Sequence, residues 1–307
     1  MRSLLALLAM LCALTLGAQG LEASHRAAME ALYGEANPWG ADDPALFREY
    51  VAPLTTLGET PVDWLPVLRP IAQALTAGAK TPLEAAMRLN RGLWKRVDVV
   101  YSTKRDKPNQ DPLHSMRIGM ASCSGLSILL VDACRSVGIP ARVVGCRWRN
   151  KPGNHTWVEV WSEGDWHPLG AFEDTPPDKL WFLADAADAT DDDPRYAIYA
   201  ARATPDAAGT IFYGWGVPAE RVTARYARKA TPAAEGVRVH IAAERDGARV
   251  AIPFTVEGKR YVTPGPLQDL NDYATLTLPP GSTFTIHMEG RTFTHRAEPN
   301  AIFVEQL

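Results

Sequence analysis

A cysteine at a predicted loop-to-helix junction is the residue best placed for chemistry in this chain. Cys123 lies in the segment MASCSGLS, and apolar residues recur at helical spacing from Ser124 to Val137, followed by Gly138 and Pro140. The unpaired amides and the dipole of a helix N-terminus favour the thiolate, which is the nucleophilic form of cysteine. This position therefore indicates nucleophilic catalysis, with a small buried residue as the alternative.

A thiol nucleophile needs a base, and His155 is the candidate. It opens a predicted strand, HTWVEVW, that follows the helix and a first predicted strand over residues 141–148. Side-chain alternation puts His155, Trp157 and Glu159 on one face of that strand. His155 can then face the helix end that carries Cys123. The alternative is a histidine that makes an ordinary structural hydrogen bond.

Together these segments resemble the transglutaminase-like cysteine-enzyme superfamily. The resemblance covers roughly residues 90 to 185 and is carried by the runs SCSGLSILLVDACRSVGIPARVVG, NHTWVEVW and GDWHPLG. It implies that Cys123 is the catalytic cysteine and His155 the catalytic histidine. It also implies an α+β fold with a papain/transglutaminase-like core, in which the helix bearing the cysteine packs on an antiparallel sheet.

The third catalytic residue departs from the family pattern. The family places an Asp about four residues after a strand Trp, and this chain has Gly170 four residues after Trp166. The related peptide N-glycanase pattern has a Glu three residues after that Asp, and this chain keeps the acid as Glu173. We therefore predict Glu173 as a substitute that orients His155. An exposed loop acid is the alternative reading of Glu173.

The resemblance implies covalent acyl transfer through a cysteine thioester, ending in amide hydrolysis or transamidation. The predicted substrates are proteins or peptides, cell-wall peptides among them, and Trp94 and Trp148 are candidate lining residues. Because Gly170 removes the usual acid, a non-catalytic module that binds peptides or proteins is the alternative function. No metal or organic cofactor is predicted, since metal-ligand and dinucleotide motifs are missing and the acidic run at 191–194 is typical of a turn.

Composition and charge give no support to a disordered protein or to a protein that binds nucleic acid or membranes through its net charge. The chain is 46% hydrophobic, which is ordinary for a globular protein, and 32 Lys and Arg against 35 Asp and Glu give a net charge of −3. This charge offers no general attraction to nucleic acid or to an anionic membrane. Oligomeric state stays open.

The first twenty residues, MRSLLALLAMLCALTLGAQG, have the pattern of a secretory signal. The apolar run from Leu4 to Gly17 is shorter than the roughly 20 residues that span a bilayer. We expect removal of this signal, a secreted or periplasmic protein, and no membrane span afterwards.

Three cysteines follow the predicted signal: Cys123, Cys134 and Cys146. Cys134 stands among apolar residues and is predicted to be buried, with a Cys134–Cys146 disulfide as the alternative. A redox pair of Cys123 with Cys134 is excluded, because eleven residues along a helix span roughly 16 Å.

The domain organisation follows from the patterns. We predict a signal peptide at 1–20, a helical region at 21–93, a transglutaminase-like core at 94–228 and a β-sandwich-like domain of about seven strands at 235–307. Thr81, Pro82 and Glu84 predict a helix start. A short strand over Val97–Tyr101 and then a long polar loop to residue 122 are expected, and a linker-like segment begins near residue 229.

Overall fold

The computed structural model describes residues 2–39, 43–227 and 236–307, with side chains from residue 17 onward. The fold is α+β, as predicted from the sequence. Its residues form two compact units. Unit 1 consists of Met1–Gly145, Thr156–Leu180 and Tyr199–Arg221, and unit 2 consists of Cys146–His155, Trp181–Ile198 and Val222–Leu307. The linker predicted near residue 229 lies outside the described residues.

Four helices form the N-terminal part of unit 1: α1 (Arg2–Tyr33), α2 (Pro44–Tyr50), α3 (Leu65–Thr76) and α4 (Pro82–Val97). The predicted start of α4 is confirmed, because the Thr81 hydroxyl accepts a hydrogen bond from the Glu84 amide at 3.1 Å and Pro82 occupies the first helical position. In the part of the chain that the structure describes, none of the helices is both long and apolar enough to cross a membrane.

The segment predicted as a long polar loop contains regular structure. Strand β1 (Val100–Tyr101) pairs in parallel with β2 (Met120–Ala121), and helix α5 (Pro112–Ile118) lies between them in sequence. The Asp111 side chain caps α5 by accepting from the His114 amide at 2.8 Å. The loop prediction is wrong here because a helix of 7 residues is too short to show apolar periodicity.

The helix predicted after residue 123 is α6 (Cys123–Arg135), which is buried from Ser124 to its end. It packs against α3, α4 and α5. The five-stranded sheet has the order β5-β4-β3-β6-β7 and consists of β3 (Ala141–Arg147), β4 (Asn154–Ser162), β5 (Asp165–Leu169), β6 (Tyr199–Ala201) and β7 (Ala219–Arg221). Strands β3 to β5 confirm the predicted meander, whereas β6 and β7 come from a Pro- and Ala-rich stretch that shows no strand pattern.

Unit 2 carries the predicted β sandwich. One sheet joins β11 (Lys259–Val262), β10 (Pro253–Val256), β13 (Thr283–Met288) and β14 (Arg291–Arg296). The other joins β12 (Ala274–Leu278), β8 (Val237–Arg245) and β15 (Ile302–Gln306), with β9 (Ala248–Arg249) paired to β8. Apolar residues of both sheets, such as Ile241, Leu276 and Ile286, form one buried core. Short helices α7 (Leu183–Ala186) and α8 (Thr223–Ala227) also belong to unit 2.

Candidate active site

Cys123 is the first residue of α6, at the position predicted for a nucleophile. Ser122 precedes it in an extended conformation, and its hydroxyl accepts a hydrogen bond from Arg105 Nε at 3.0 Å instead of capping the helix. Within the described ranges, no side chain caps the N-terminus of α6. The positive end of the helix dipole is therefore directed at the Cys123 region. The thiol is free and half-buried.

The first turn of α6 is fixed against strand β4 by side-chain bonds. The hydroxyls of Ser124 and Thr156 are 3.0 Å apart, and the Ser127 hydroxyl donates to the Thr156 carbonyl at 3.2 Å. A side chain at Gly125 would collide with Ala121, whose Cβ would lie 2.9 Å from the added atom. Small residues in MASCSGLS thus serve close packing. Thr156 directly follows His155 on β4.

The other two cysteines are buried free thiols. Cys134 is fully buried and Cys146 nearly so, and burial raises the pKa of both thiols. The prediction of a buried Cys134 is confirmed, and the alternative of a Cys134–Cys146 disulfide is not realised in the structure. Neither thiol is a candidate nucleophile, because a buried neutral thiol reacts slowly.

His155 lies in unit 2, where aromatic rings enclose its imidazole. Its ring centroid is 4.7 Å from that of Trp181, 5.0 Å from that of Phe182 and 6.1 Å from that of Trp148, which stacks on it. Only 3% of His155 is exposed. Electrostatic interactions at this imidazole are strengthened because the enclosure excludes water.

The carboxylate beside His155 belongs to Asp269. Its Oδ2 lies 3.3 Å from His155 Nδ1, and both side chains are buried. Asp269 stands in the loop between β11 and β12. Burial by itself would raise the pKa of the Asp269 carboxyl, but the charge of His155 and hydrogen bonds from His155 and Asn271 outweigh it and hold the pKa below its usual value. Asp269 is therefore an ionised partner for the imidazole.

Sequence reasoning missed Asp269. It lies in a loop of the β-sandwich domain, outside the segment of transglutaminase resemblance, and one Asp between two short strands is typical of a turn. The only local signal is Asn271 two residues later, a spacing found in many side-chain-capped turns.

Glu173, the predicted orienting acid, lies in unit 1 after β5. Its carboxylate folds back over Gly170, where an added Cβ would collide with it. Asn90 Nδ2 donates to the carbonyl oxygens of both Gly170 and Glu173, at 2.7 and 2.6 Å, which fixes this turn. The candidate lining residue Trp94 packs nearby, with its ring 5.4 Å from that of Phe172. The role of Glu173 toward His155 stays a prediction.

The acidic run at 191–194 takes part in turn and cap bonds. Asp193 accepts from the Arg195 amide at 3.0 Å and caps a 3₁₀ turn, and Asp191 accepts from the Thr223 hydroxyl at 2.7 Å. These contacts agree with the predicted turn.

The family comparison confirms the resemblance found in the sequence. Residues 69–171 match the family model described as the Transglutaminase-like superfamily. The matched segment is about a third of the chain and contains Cys123 and His155, but it ends before Glu173 and Asp269. This segment is similar to the transglutaminase-like family. Comparison with curated proteins gives no match.

Two solved structures illustrate the extent of the similarity. A structure described as a TGase is 16% identical, with 36% of this chain and 30% of that chain covered and a TM-score of 0.29. The periplasmic domain of TgpA from Pseudomonas aeruginosa, bound to ethylmercury, is 20% identical, with 39% of this chain and 48% of that chain covered and a TM-score of 0.28. The chain thus spans less than half the length of each.

Proposed function

We propose that the protein is a thiol-dependent acyl-transfer enzyme that acts on amide bonds in proteins or peptides. Cys123 is the nucleophile, His155 the general base and acid, and Asp269 the carboxylate that orients His155. The observation that carries this proposal is the buried pair of His155 and Asp269, with 3.3 Å between Nδ1 and Oδ2, inside an enclosure of aromatic rings. A histidine held in this way by an acid is the base of cysteine and serine acyl-transfer enzymes.

Two further observations support the pairing of Cys123 with His155. Both residues fall inside the segment that matches the transglutaminase-like family. In unit 1, Thr156 bonds to Ser124 and Ser127, so the residue after His155 is tied to the helix turn that begins with Cys123.

The chemistry follows from these roles. His155 takes the proton of Cys123, and the thiolate adds to the substrate carbonyl carbon to form a tetrahedral oxyanion. The Cys123 backbone amide, at the start of α6, is a suitable donor to that oxyanion. The protonated His155 then gives its proton to the departing amine as the carbon–nitrogen bond breaks, which leaves a thioester. Water or a second amine, deprotonated by His155, attacks the thioester and restores the thiol.

Asp269 takes the role that the family pattern gives to an acid at position 170. A carboxylate at Nδ1 selects the tautomer that leaves Nε2 free for the thiol and stabilises the imidazolium that forms. We further propose that the N-terminal segment is a signal removed after residue 20 and that the enzyme acts in the periplasm or outside the cell, where cell-wall peptides are available substrates. The mass of the mature N-terminus tests this location.

The pH dependence of iodoacetamide alkylation at Cys123 tests the proposal that Cys123 and His155 form a catalytic pair. Peptide mass separates this thiol from Cys134 and Cys146, which serve as internal controls. In the wild type we expect the rate to reach its plateau by about pH 6, as for a thiol paired with histidine. In His155→Ala the rate should follow an ordinary thiol, whose pKa is about 8.5. His155→Gln is a second variant in case the alanine variant does not fold.

His167→Ala is the matched control, because His167 lies on β5 and its Nε2 is 3.2 Å from the Ser162 carbonyl oxygen. It should leave the profile unchanged. An ordinary or inert Cys123 thiol in the wild type, unaltered by loss of His155, would overturn the enzyme proposal. That outcome would favour the non-catalytic binding module.

A further inference from the structure

The two oxygens of the Asp269 carboxylate have separate partners. Oδ2 lies toward His155 Nδ1, whereas Oδ1 accepts from the backbone amide of Asn271 at 2.8 Å and from its side-chain Nδ2 at 3.0 Å. A carboxylate with one oxygen held by two donors has little freedom to rotate. Asn271 therefore fixes which oxygen is presented to the imidazole.

The same side chain reaches the backbone next to the histidine. Asn271 Nδ2 also donates to the carbonyl oxygen of Asn154 at 2.8 Å. One amide group thus bonds both members of the pair, through the carboxylate of Asp269 and through the residue that precedes His155. Both hydrogens of Nδ2 are used in these bonds. A hydroxyl has only one hydrogen to donate and a carboxylate has none, so neither could make both bonds.

Gly153 makes room for this amide. An added Cβ at Gly153 would collide with Asn271 Oδ1, and the φ of Gly153 is +101°, a conformation that L side chains rarely adopt. The approach of residues 153 and 271 therefore requires glycine at 153.

The loop that carries Asp269 and Asn271 is anchored at further points. Arg249 donates from Nη1 to the Asp269 carbonyl at 2.9 Å and from Nη2 to the Asp272 carbonyl at 2.6 Å. Lys151 Nζ donates to the Asn271 carbonyl at 3.1 Å. These bonds hold the loop by its backbone. The side chain of Asn271 is therefore available to bond the Asp269 carboxylate and the Asn154 carbonyl.

We propose that Asn271 is a positioning residue, which locks the Asp269 carboxylate and the start of β4 in the one arrangement that orients His155. The inference rests on the proposed function for its catalytic consequence, because an oriented His155 matters only if His155 serves Cys123. The geometry that it describes lies wholly within unit 2.

Nitrogen-15 NMR of the histidine ring in the folded full chain tests the proposal. Cys123→Ala serves as the parent protein for all variants, because a thiolate at Cys123 would keep the imidazole protonated on both nitrogens. At a pH above the titration of the His155 ring, followed in the same spectra, we expect the neutral ring to carry its proton on Nδ1, toward Asp269. In Asn271→Ala we expect a mixture of the two tautomers. Asn271→Asp keeps the shape but turns a donor into a second carboxylate beside Asp269, so its tautomer shift should be at least as large. A wild-type tautomer in both folded variants would overturn the proposal.

Asn154→Ala is the matched control, since Asn154 contributes its backbone carbonyl and its side chain is exposed. It should leave the tautomer unchanged.

The alkylation profile of Cys123 separates the two proposals. If the tautomer shifts in Asn271→Ala while loss of His155 leaves alkylation unchanged, the positioning role stands and the enzyme proposal fails. If loss of His155 abolishes the low-pH plateau while both Asn271 variants keep the wild-type tautomer, the enzyme proposal stands and the positioning role fails.

Discussion

Replacing Asp269 by Asn removes one negative charge beside His155 and keeps the shape of the side chain. The two charged atoms are 3.3 Å apart and both side chains are buried. With an effective dielectric constant of about 20, the attraction between an imidazolium and a carboxylate at this distance is about 5 kcal/mol. Each 1.36 kcal/mol of lost transition-state stabilisation is a factor of about ten in rate, so the upper limit is between about 10³ and 10⁴. Because the two Asn271 donors hold the one oxygen of the new amide, its NH2 group faces Nδ1 and favours the wrong tautomer, so we expect a loss close to that limit, about 10³–10⁴.

The assay is acylation of Cys123 by p-nitrophenyl acetate, an activated ester whose released nitrophenolate gives the rate of thioester formation. Glu173→Gln is the matched comparison, since it removes the charge of the acid that the sequence predicted. We expect it to change the rate less than threefold. A loss below threefold in folded Asp269→Asn would refute the role of Asp269, and a large loss in Glu173→Gln alone would assign the orienting role to Glu173.

Two predictions concern the stability of unit 1. Glu159→Gln should lower the free energy of unfolding by about 2–3 kcal/mol, because Arg142, whose Nε and Nη2 lie 2.9 and 2.7 Å from Glu159 Oε2, loses its fully buried partner and keeps only the half-buried Glu220 at 3.3 Å from Nη1. Urea denaturation measures the loss, and a change below about 1 kcal/mol would contradict it. Burial lowers the pKa of His25 from 6.5 to about 4, so the unfolded chain binds a proton first and stability falls as the pH drops from 6.5 to 4. In His25→Phe, the decrease in the free energy of unfolding between pH 6.5 and 4 should be smaller by roughly 3 kcal/mol. If the curves of unfolding free energy against pH are parallel for wild type and variant, His25 does not titrate as stated.

The sequence predicted the elements whose signals are local. Thr81 and Pro82 mark the start of α4 because the capping hydroxyl and the proline act within one turn. Cys123 begins α6 as expected, since the apolar spacing that follows it covers nearly four turns. Strand alternation and turn residues likewise predicted the β sandwich of unit 2, with about seven strands expected and eight, β8 to β15, found among the described residues.

What the sequence could not predict depends on contacts between distant segments. Strands β6 and β7 are 3 residues each and are stabilised by pairing beside β3, so their own composition carries little information. Asp269 is an ordinary turn residue until the fold brings it to His155. The role of its partner Asn271 is equally hidden in the sequence. Its side chain bonds Asn154, which is 117 positions away, and such a contact leaves no local sequence pattern.

The space that an acid at position 170 would occupy is filled in the turn after β5. Asn90 holds the carbonyl oxygens of Gly170 and Glu173, and the Glu173 carboxylate occupies the space that a side chain at 170 would need. An Asp at 170 would therefore displace the end of the Glu173 side chain. Under the proposed function, the loop between β11 and β12 supplies the orienting acid through Asp269 in place of position 170. The C-terminal β strands are then part of the catalytic apparatus, because they carry the loop that fixes His155.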